Sequence, residues 1–210
     1  MLILASGSPR RRQLLARLGL SFRVVVPDVE EDIPSASDLT PEEMAEALAT
    51  AKALSVAQRE GGGLVLAADT LVVDGETVLG KPRGAAGAAA MLRRLCDREH
   101  RVITGVALVD ATRSTASLVD HVTTVVRMRP YSEEEIAAYI ARGEPFDKAG
   151  AYAIQDEAFH PVASYDACYC NVVGLPLRAV IRLLRHAGLD ITDDHLAGLP
   201  AECEACRLEI

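Results

Sequence analysis

Leu2-Ile3-Leu4-Ala5-Ser6-Gly7-Ser8-Pro9-Arg10-Arg11-Arg12 opens the chain, and its reading decides the fold. The four apolar residues read as a buried strand, and three small residues make a loop. Ser8 then stands as the N-cap of a helix with Pro9 at its first position, where the fixed φ of proline suits helix entry. That helix is expected to run to about Leu18, before Gly19. The loop leaves backbone N–H groups at the positive end of the helix dipole, a physical recipe for holding an anion. Arg10 and Arg11 add planar donors that match phosphate oxygens. A capped helix with solvated arginines is the plainer account, and this segment alone leaves the two evenly balanced.

Beyond this opening, strand and helix signals alternate along the chain. Phe22 to Val26 reads as a second strand. Thr40-Pro41-Glu42-Glu43 is a capping box that starts a helix reaching about Arg59, and Gly61-Gly62-Gly63 breaks it. Leu64 to Ala68 is a short apolar run that reads as a buried strand ending at Asp69. Leu71 to Val73 and Glu76 to Leu79 flank Asp74-Gly75, a two-residue hairpin signal. Ala85 to Leu95 reads as a helix, and Arg101 to Val109 and Ser117 to Met128 alternate like strands. Ser132 and Glu135 form a second capping box, for a helix to about Arg142. A last helix begins at Pro176 and runs to about Ala187, and the sequence after Gly188 is weakly specified. Crossovers mixed with adjacent strand pairs predict an α/β protein whose central sheet is mixed and flanked by helices. Residues 1–190 are expected to form one domain, with 191–210 as a C-terminal tail.

Composition narrows the partners. With 22 Lys and Arg against 30 Asp and Glu, the net charge of -8 argues against a nucleic acid polymer, which needs a basic footprint. A small anion remains compatible if positive charge is gathered at one place. The apolar run precedes the arginines, the reverse of a secretory signal, and no apolar stretch approaches the ~20 residues that span a bilayer. Five cysteines without an export signal suggest reduced thiols, hence a cytoplasmic protein with no membrane partner.

Two further segments carry candidate chemistry. Asp69 closes the apolar run Leu64 to Ala68 and is followed by Thr70; a carboxylate there is costly unless it is paired, ligates metal or is catalytic, although a turn aspartate is the commoner case. Lys81, in Gly80-Lys81-Pro82, could fold back over the same place from beyond the hairpin. Lys52, within a helix, reads by itself as a surface charge. The loop from Gly143 to Gln155, with Lys148 among glycines and small residues, reads as structured rather than passive.

Taken in order, LILASGSPRRRQLL, Val29-Glu30, Lys52, AADTLVV, LGKP, ITGVAL, EPFDKAGAYAIQ and NVVGLPL resemble the Maf family of nucleotide pyrophosphatases over roughly Leu2 to Leu184. The resemblance implies an elongated fold with two lobes and a cleft, related to the inosine triphosphate pyrophosphatase architecture, and a homodimer. It implies dependence on Mg²⁺ or Mn²⁺ and hydrolysis of a nucleoside triphosphate to the monophosphate and pyrophosphate. By the family pattern Asp69 is the proton acceptor and, with Glu30, a metal ligand. Ser6, Ser8, Arg10, Arg11, Lys52, Thr70, Lys81, Lys148 and Gln155 would bind the substrate. Arg10, Thr70 and Gln155 resemble the branch acting on dTTP and UTP, and a glutamine can meet both donor and acceptor on a pyrimidine edge. The family's other branch prefers 7-methyl-GTP.

One stretch departs from the family pattern. Asp156-Glu157-Ala158-Phe159-His160-Pro161 replaces glycines and a phenylalanine-rich strand, and Ala167 stands where another glycine is expected. Pro161 predicts an edge position or a rearranged turn. This departure keeps open a nucleotide-binding regulator of cell division, or an enzyme for a modified nucleotide. Cys168-Tyr169-Cys170 and Cys203-Glu204-Ala205-Cys206 could supply a structural zinc site if the tail folds back onto a strand before Asn171. Free thiols or a redox pair compete, because the CxC spacing is not that of a zinc knuckle. Cys96 reads as a core residue on a helix.

Overall fold

The computed structural model describes residues 1–29, 39–113, 117–203 and Cys206. Its elements are β1 (Leu2–Ala5), α1 (Pro9–Ala16), β2 (Phe22–Val25), α2 (Pro41–Glu60), β3 (Leu64–Asp74) and β4 (Thr77–Leu79). There follow α3 (Gly84–Leu95), β5 (Glu99–Asp110), β6 (Ser117–Met128) and α4 (Glu133–Ala141), then single 3₁₀ turns at Glu144–Asp147 and Ala149–Ala151. The chain closes with β7 (Val162–Tyr165), α5 (Tyr169–Val173), α6 (Leu177–His186), α7 (Asp193–Ala197) and a 3₁₀ turn at Ala201–Cys203.

Among the described residues seven strands form one sheet in the order β2-β1-β3-β5-β6-β7, with β4 paired to β3. The sheet is mixed: β1 is parallel to β2 and β3, whereas β3, β5, β6 and β7 pair antiparallel in succession. Both expected capping boxes form, at Thr40 with Glu43 and at Ser132 with Glu135. Each satisfies two helix N–H or N-cap donors and fixes where its helix enters the sheet.

Side-chain alternation along β3 sorts the core onto two faces. Val65, Ala67, Leu71 and Val73 meet α2, which covers its face for the whole strand length through Ala45, Ala49, Ala53 and Val56. On the other face, Leu66 and Ala68 pack with α1, α5, α6 and the tail, whereas Val72 packs with α3 and α4. These two clusters are the two lobes, and β3, β5 and β6 run through both. The tail joins the first: Ile191, Cys203 and Cys206 are buried in it.

Three expectations need correction. The run expected to end at Asp69 does not end there, because Asp69 and Thr70 pair with Gly105 and Thr104 and β3 continues to Asp74. The ladder hydrogen bonds of β5 override the break suggested by a polar pair. Cys168 and Cys170 lie not on a strand but at the N-cap and in the first turn of α5, an element the sequence reading did not contain. Cys96 caps α3 rather than lying within it and is only half-buried, its sulfur accepting from the Tyr131 N–H at 3.4 Å. The reading of Pro161 was sounder: it directly precedes β7, an edge strand that pairs with β6. Among the described residues no helix is long and apolar enough to cross a membrane.

The alanine-rich α2 lies unusually close to the sheet at one point. A Cβ on Gly105 would stand 2.3 Å from the backbone of Ala45, so only glycine permits the crossing. Gly105→Ala is therefore expected to push α2 outward and to cost about 3 kcal/mol, measured as a lower midpoint in urea unfolding. A midpoint equal to the parent's would show that the close crossing is not required.

Candidate functional site

The site begins as a gap in the sheet edge. β1 accompanies β3 only as far as Ala67, and β4 takes up the same edge only from Val72. Between them Ala68, Asp69, Thr70 and Leu71 have no strand on that side among the described residues. A cleft of about 760 Å³ occupies this notch. It lies at the C-terminal end of the parallel strand β1, where α/β proteins commonly bind ligands.

Every described residue that the family pattern assigns to substrate or catalysis lines this cleft: Ser6, Ser8, Arg10, Arg11, Lys52, Asp69, Thr70, Lys81, Lys148 and Gln155; the candidate zinc cysteines do not. Glu30 lies outside the described residues, immediately after Val29, which lines the cleft. The serines shape the loop: the Ser8 N–H donates to Ser6 Oγ at 3.1 Å, and Ser8 Oγ caps α1. Arg11 is fixed at two points, donating from Nε to the Gly174 carbonyl at 2.8 Å and from Nη2 to Thr70 Oγ1 at 3.1 Å. Thr70 Oγ1 in turn lies 2.9 Å from Thr104 Oγ1, which donates to the Asn171 carbonyl at 3.0 Å.

At the floor of the cleft Lys52 Nζ meets Asp69 Oδ1 at 2.5 Å, with the two residues 5% and 8% exposed. Lys52 falls on the buried stripe of α2, one helical turn from Ala49 and Val56, not on the solvent face. Successive residues of a strand point to opposite sides, so Asp69 faces α2 while Thr70 faces Arg11. The open edge lets both reach the same space.

The segment Gly143 to Gln155 forms the opposite wall. Asp147 accepts from Arg10 at 3.0 Å and from Lys148 at 2.7 Å. Burial tends to raise the Asp147 carboxyl, but Lys148 and Arg10 outweigh it and hold it below the usual range. The backbone turns through left-handed geometry at Gly150 (φ 68) and at the buried Ala151 (φ 63). Such a conformation at a non-glycine residue persists only where its surroundings impose it. The Gly150 N–H donates to the Gly80 carbonyl at 3.1 Å, which ties this wall to the loop that carries Lys81. Tyr152 anchors it to the sheet, its hydroxyl 2.7 Å from Nε2 of the buried His100 on β5. Gln155 is exposed at the mouth.

Some contributors escaped the sequence reading. Arg83, at the start of α3, lines the cleft but belongs to no motif. Gly174 and Thr104 lie within the quoted NVVGLPL and ITGVAL segments but were not read as site residues, because they act through contacts 163 and 34 residues distant in the chain. Six cationic side chains (Arg10, Arg11, Lys52, Lys81, Arg83 and Lys148) face two carboxylates, Asp69 and Asp147, among the described lining residues. In a chain of net charge -8 this is a local reversal of sign.

Fold and site together define an α/β protein that receives a small polyanion. The family described as Maf-like protein matches residues 1–187, and the chain belongs to the Maf family. It is 53% identical over 207 residues to a dTTP/UTP pyrophosphatase of Thermomicrobium roseum, covering 99% of this chain and 93% of that one. Against a dTTP/UTP pyrophosphatase of Symbiobacterium thermophilum the identity is 51% over 191 residues, with coverages of 90% and 95%. Among solved structures, a HAM1 protein from Coxiella burnetii is 20% identical with a TM-score of 0.42, covering 60% of this chain and 72% of that chain.

The His100 anchor makes stability depend on pH. Burial lowers the imidazole to about 4, against a weaker opposing pull from Asp74. Its Nδ1 is buried without a partner in the structure. The unfolded chain then binds a proton that the folded chain refuses, so stability falls as pH drops from about 6.5 toward 4, by about 3 kcal/mol in all. Replacing His100 by Gln, which can still meet the Tyr152 hydroxyl, is expected to flatten that part of the melting temperature profile. An unchanged slope would assign the acid sensitivity to other groups.

Proposed function

We propose that this chain is a nucleoside triphosphate pyrophosphatase that cuts dTTP or UTP between the α- and β-phosphates, releasing the monophosphate and pyrophosphate. The observation that carries this reading is the buried Lys52–Asp69 pair on the floor of a cleft where cationic side chains outnumber carboxylates. Attack at a phosphoryl centre needs a positioned water and charges that neutralise the departing pyrophosphate. A carboxylate has lone pairs for several donors, so Asp69 can hold Lys52 and still accept from a water and take its proton. The Lys52 ammonium holds the Asp69 carboxylate in place. The Ser6–Ser8 loop, Arg10, Arg11, Lys81 and Lys148 would grip the phosphates, with Arg11 already preset by Gly174 and Thr70.

The proposal includes Mg²⁺ or Mn²⁺. Among the described residues no group of three or more His, Cys, Asp or Glu is arranged to hold a metal, and the cleft floor offers the single carboxylate of Asp69. That donor set fits a hard cation that keeps its waters and shares phosphate oxygens, with Glu30 as a second carboxylate. Such an ion would supply charge neutralisation at the triphosphate.

Gln155, at the mouth, would read the pyrimidine edge. It also borders a recess with Arg142, Asp156 and Glu157, so the altered segment after it forms part of the base environment. The same reading makes residues 1–190 the catalytic domain and 191–210 its tail. It places a homodimer in the cytoplasm, without nucleic acid polymer or membrane as partner.

The test is pyrophosphate release from a nucleotide panel with Mg²⁺. Turnover of dTTP and UTP above 7-methyl-GTP is expected, and Asp69→Asn should lower kcat/KM by about 10²- to 10⁴-fold. Removing one charge of a buried pair also costs stability, so circular dichroism must show the variant folded. Nucleotide binding without product would favour the regulator; preference for 7-methyl-GTP would overturn the reading of Gln155; full activity in the variant would remove Asp69 from the mechanism.

A further inference from the structure

Thr104 is fully buried on β5 and does not line the cleft, yet its hydroxyl touches one that does. It stands directly across the β3–β5 ladder from Thr70, so the two side chains share one face of the sheet. Their oxygens lie 2.9 Å apart. A hydroxyl has one proton to give. Thr104 gives its own to the Asn171 carbonyl at 3.0 Å, so the proton between the two threonines comes from Thr70. Thr70 Oγ1 then meets Arg11 Nη2, at 3.1 Å, as an acceptor. The hydrogen bonds run one way, from Arg11 through Thr70 and Thr104 to the backbone of α5. Thr70 borders the cleft, but its proton is turned inward and none is left for a phosphate.

The far end of this chain is held firmly. Thr124, also fully buried, accepts from the Cys168 N–H at 3.2 Å and from Asn171 Nδ2 at 2.9 Å, and donates to the Cys168 carbonyl at 3.3 Å. Asn171 Nδ2 also donates to the Val102 carbonyl at 2.9 Å. Strands β5 and β6 thus grip the N-cap and the middle of α5, a helix of five residues. Its C-cap is Gly174, whose carbonyl takes Arg11 Nε at 2.8 Å. A Cβ there would stand 3.3 Å from Thr70 Oγ1 and 3.5 Å from Arg11 Nε, so the guanidinium packs directly against this cap. Two acceptors tied to α5 fix both the plane of the guanidinium and its rotation in that plane.

We propose that Thr104 is a positioning residue of the nucleotide site, which aims the Thr70 hydroxyl so that Thr70 offers Arg11 a lone pair and sets its guanidinium for the phosphates. This rests on the reading of Arg11 as a residue that grips phosphate. Thr70 then serves through Arg11 instead of donating to the substrate. A valine of the same shape at position 104 leaves the Thr70 proton without its acceptor, free to turn toward Arg11 and set donor against donor.

The test is calorimetric binding of inorganic tripolyphosphate to the full chain, with KM and kcat for dTTP beside it. Calorimetry needs no turnover, so a failure of the proposed reaction is read separately. Thr104→Val is expected to weaken binding about 10-fold and to raise KM more than it lowers kcat, whereas Thr104→Ser, which keeps the hydroxyl, stays within about 2-fold of the parent. In an Arg11→Ala background Thr104→Val should change binding by less than about 2-fold, because its effect passes through Arg11. Thr70→Val, at a half-buried position, repeats the comparison should the buried valine unfold the chain, which circular dichroism reports. A loss of equal size in the Arg11→Ala background overturns the proposal, since it would mark a general structural effect or a direct contact of Thr70 with phosphate. Normal binding by Thr104→Val beside weak binding by Arg11→Ala overturns the proposal alone. Normal binding by Arg11→Ala overturns the grip of Arg11 with it.

Discussion

An ammonium and a carboxylate held out of water between a helix and a sheet constrain the whole molecule. Each is tolerable only because of the other, since an isolated buried charge costs several kcal/mol. The Lys52–Asp69 contact thus requires α2 to sit at one height and one rotation over β3, and small residues make that height attainable: alanines along α2 and Gly105 beneath Ala45. The pair adds little net stability compared with apolar residues of the same shape. What it provides is a carboxylate fixed in direction, at the edge where β3 has no neighbour among the described residues.

Much of the fold was legible because its signals are local. Capping residues, a turn glycine and periodic apolar positions located α2, α4, the β3–β4 hairpin and the paired strands β5 and β6. What failed was equally physical. Asp69 and Thr70 look like a strand end, yet Gly105 and Thr104 supply ladder partners from far along the chain. The five residues of α5 are too few to show a period, and they are held by tertiary contacts such as the Asn171 side chain, which donates to the Val102 carbonyl and Thr124 Oγ1.

The site was legible in a different way. Position by position, Ser8, Lys52 and Asp69 each had an ordinary explanation, and only their combined order in the family pattern separated them from chance. Lys52 did carry one overlooked clue: it interrupts the apolar stripe of its own helix, where a lysine needs an acidic partner. Arg83 carried none, and Gly174 and Thr104, though inside the NVVGLPL and ITGVAL segments, gave no sign of their roles, because a carbonyl or a hydroxyl acting across the fold leaves no mark on its neighbours in sequence.

The three longest strands cross from one lobe to the other without a break. No flexible joint separates the two halves, so neither can swing as a rigid body, as in hinged two-domain receptors. Opening and closing must instead come from bending of the sheet or from the segment Gly143 to Gln155, pinned by Tyr152 and by Gly150. The gape of the cleft is therefore inherited from strand length and twist.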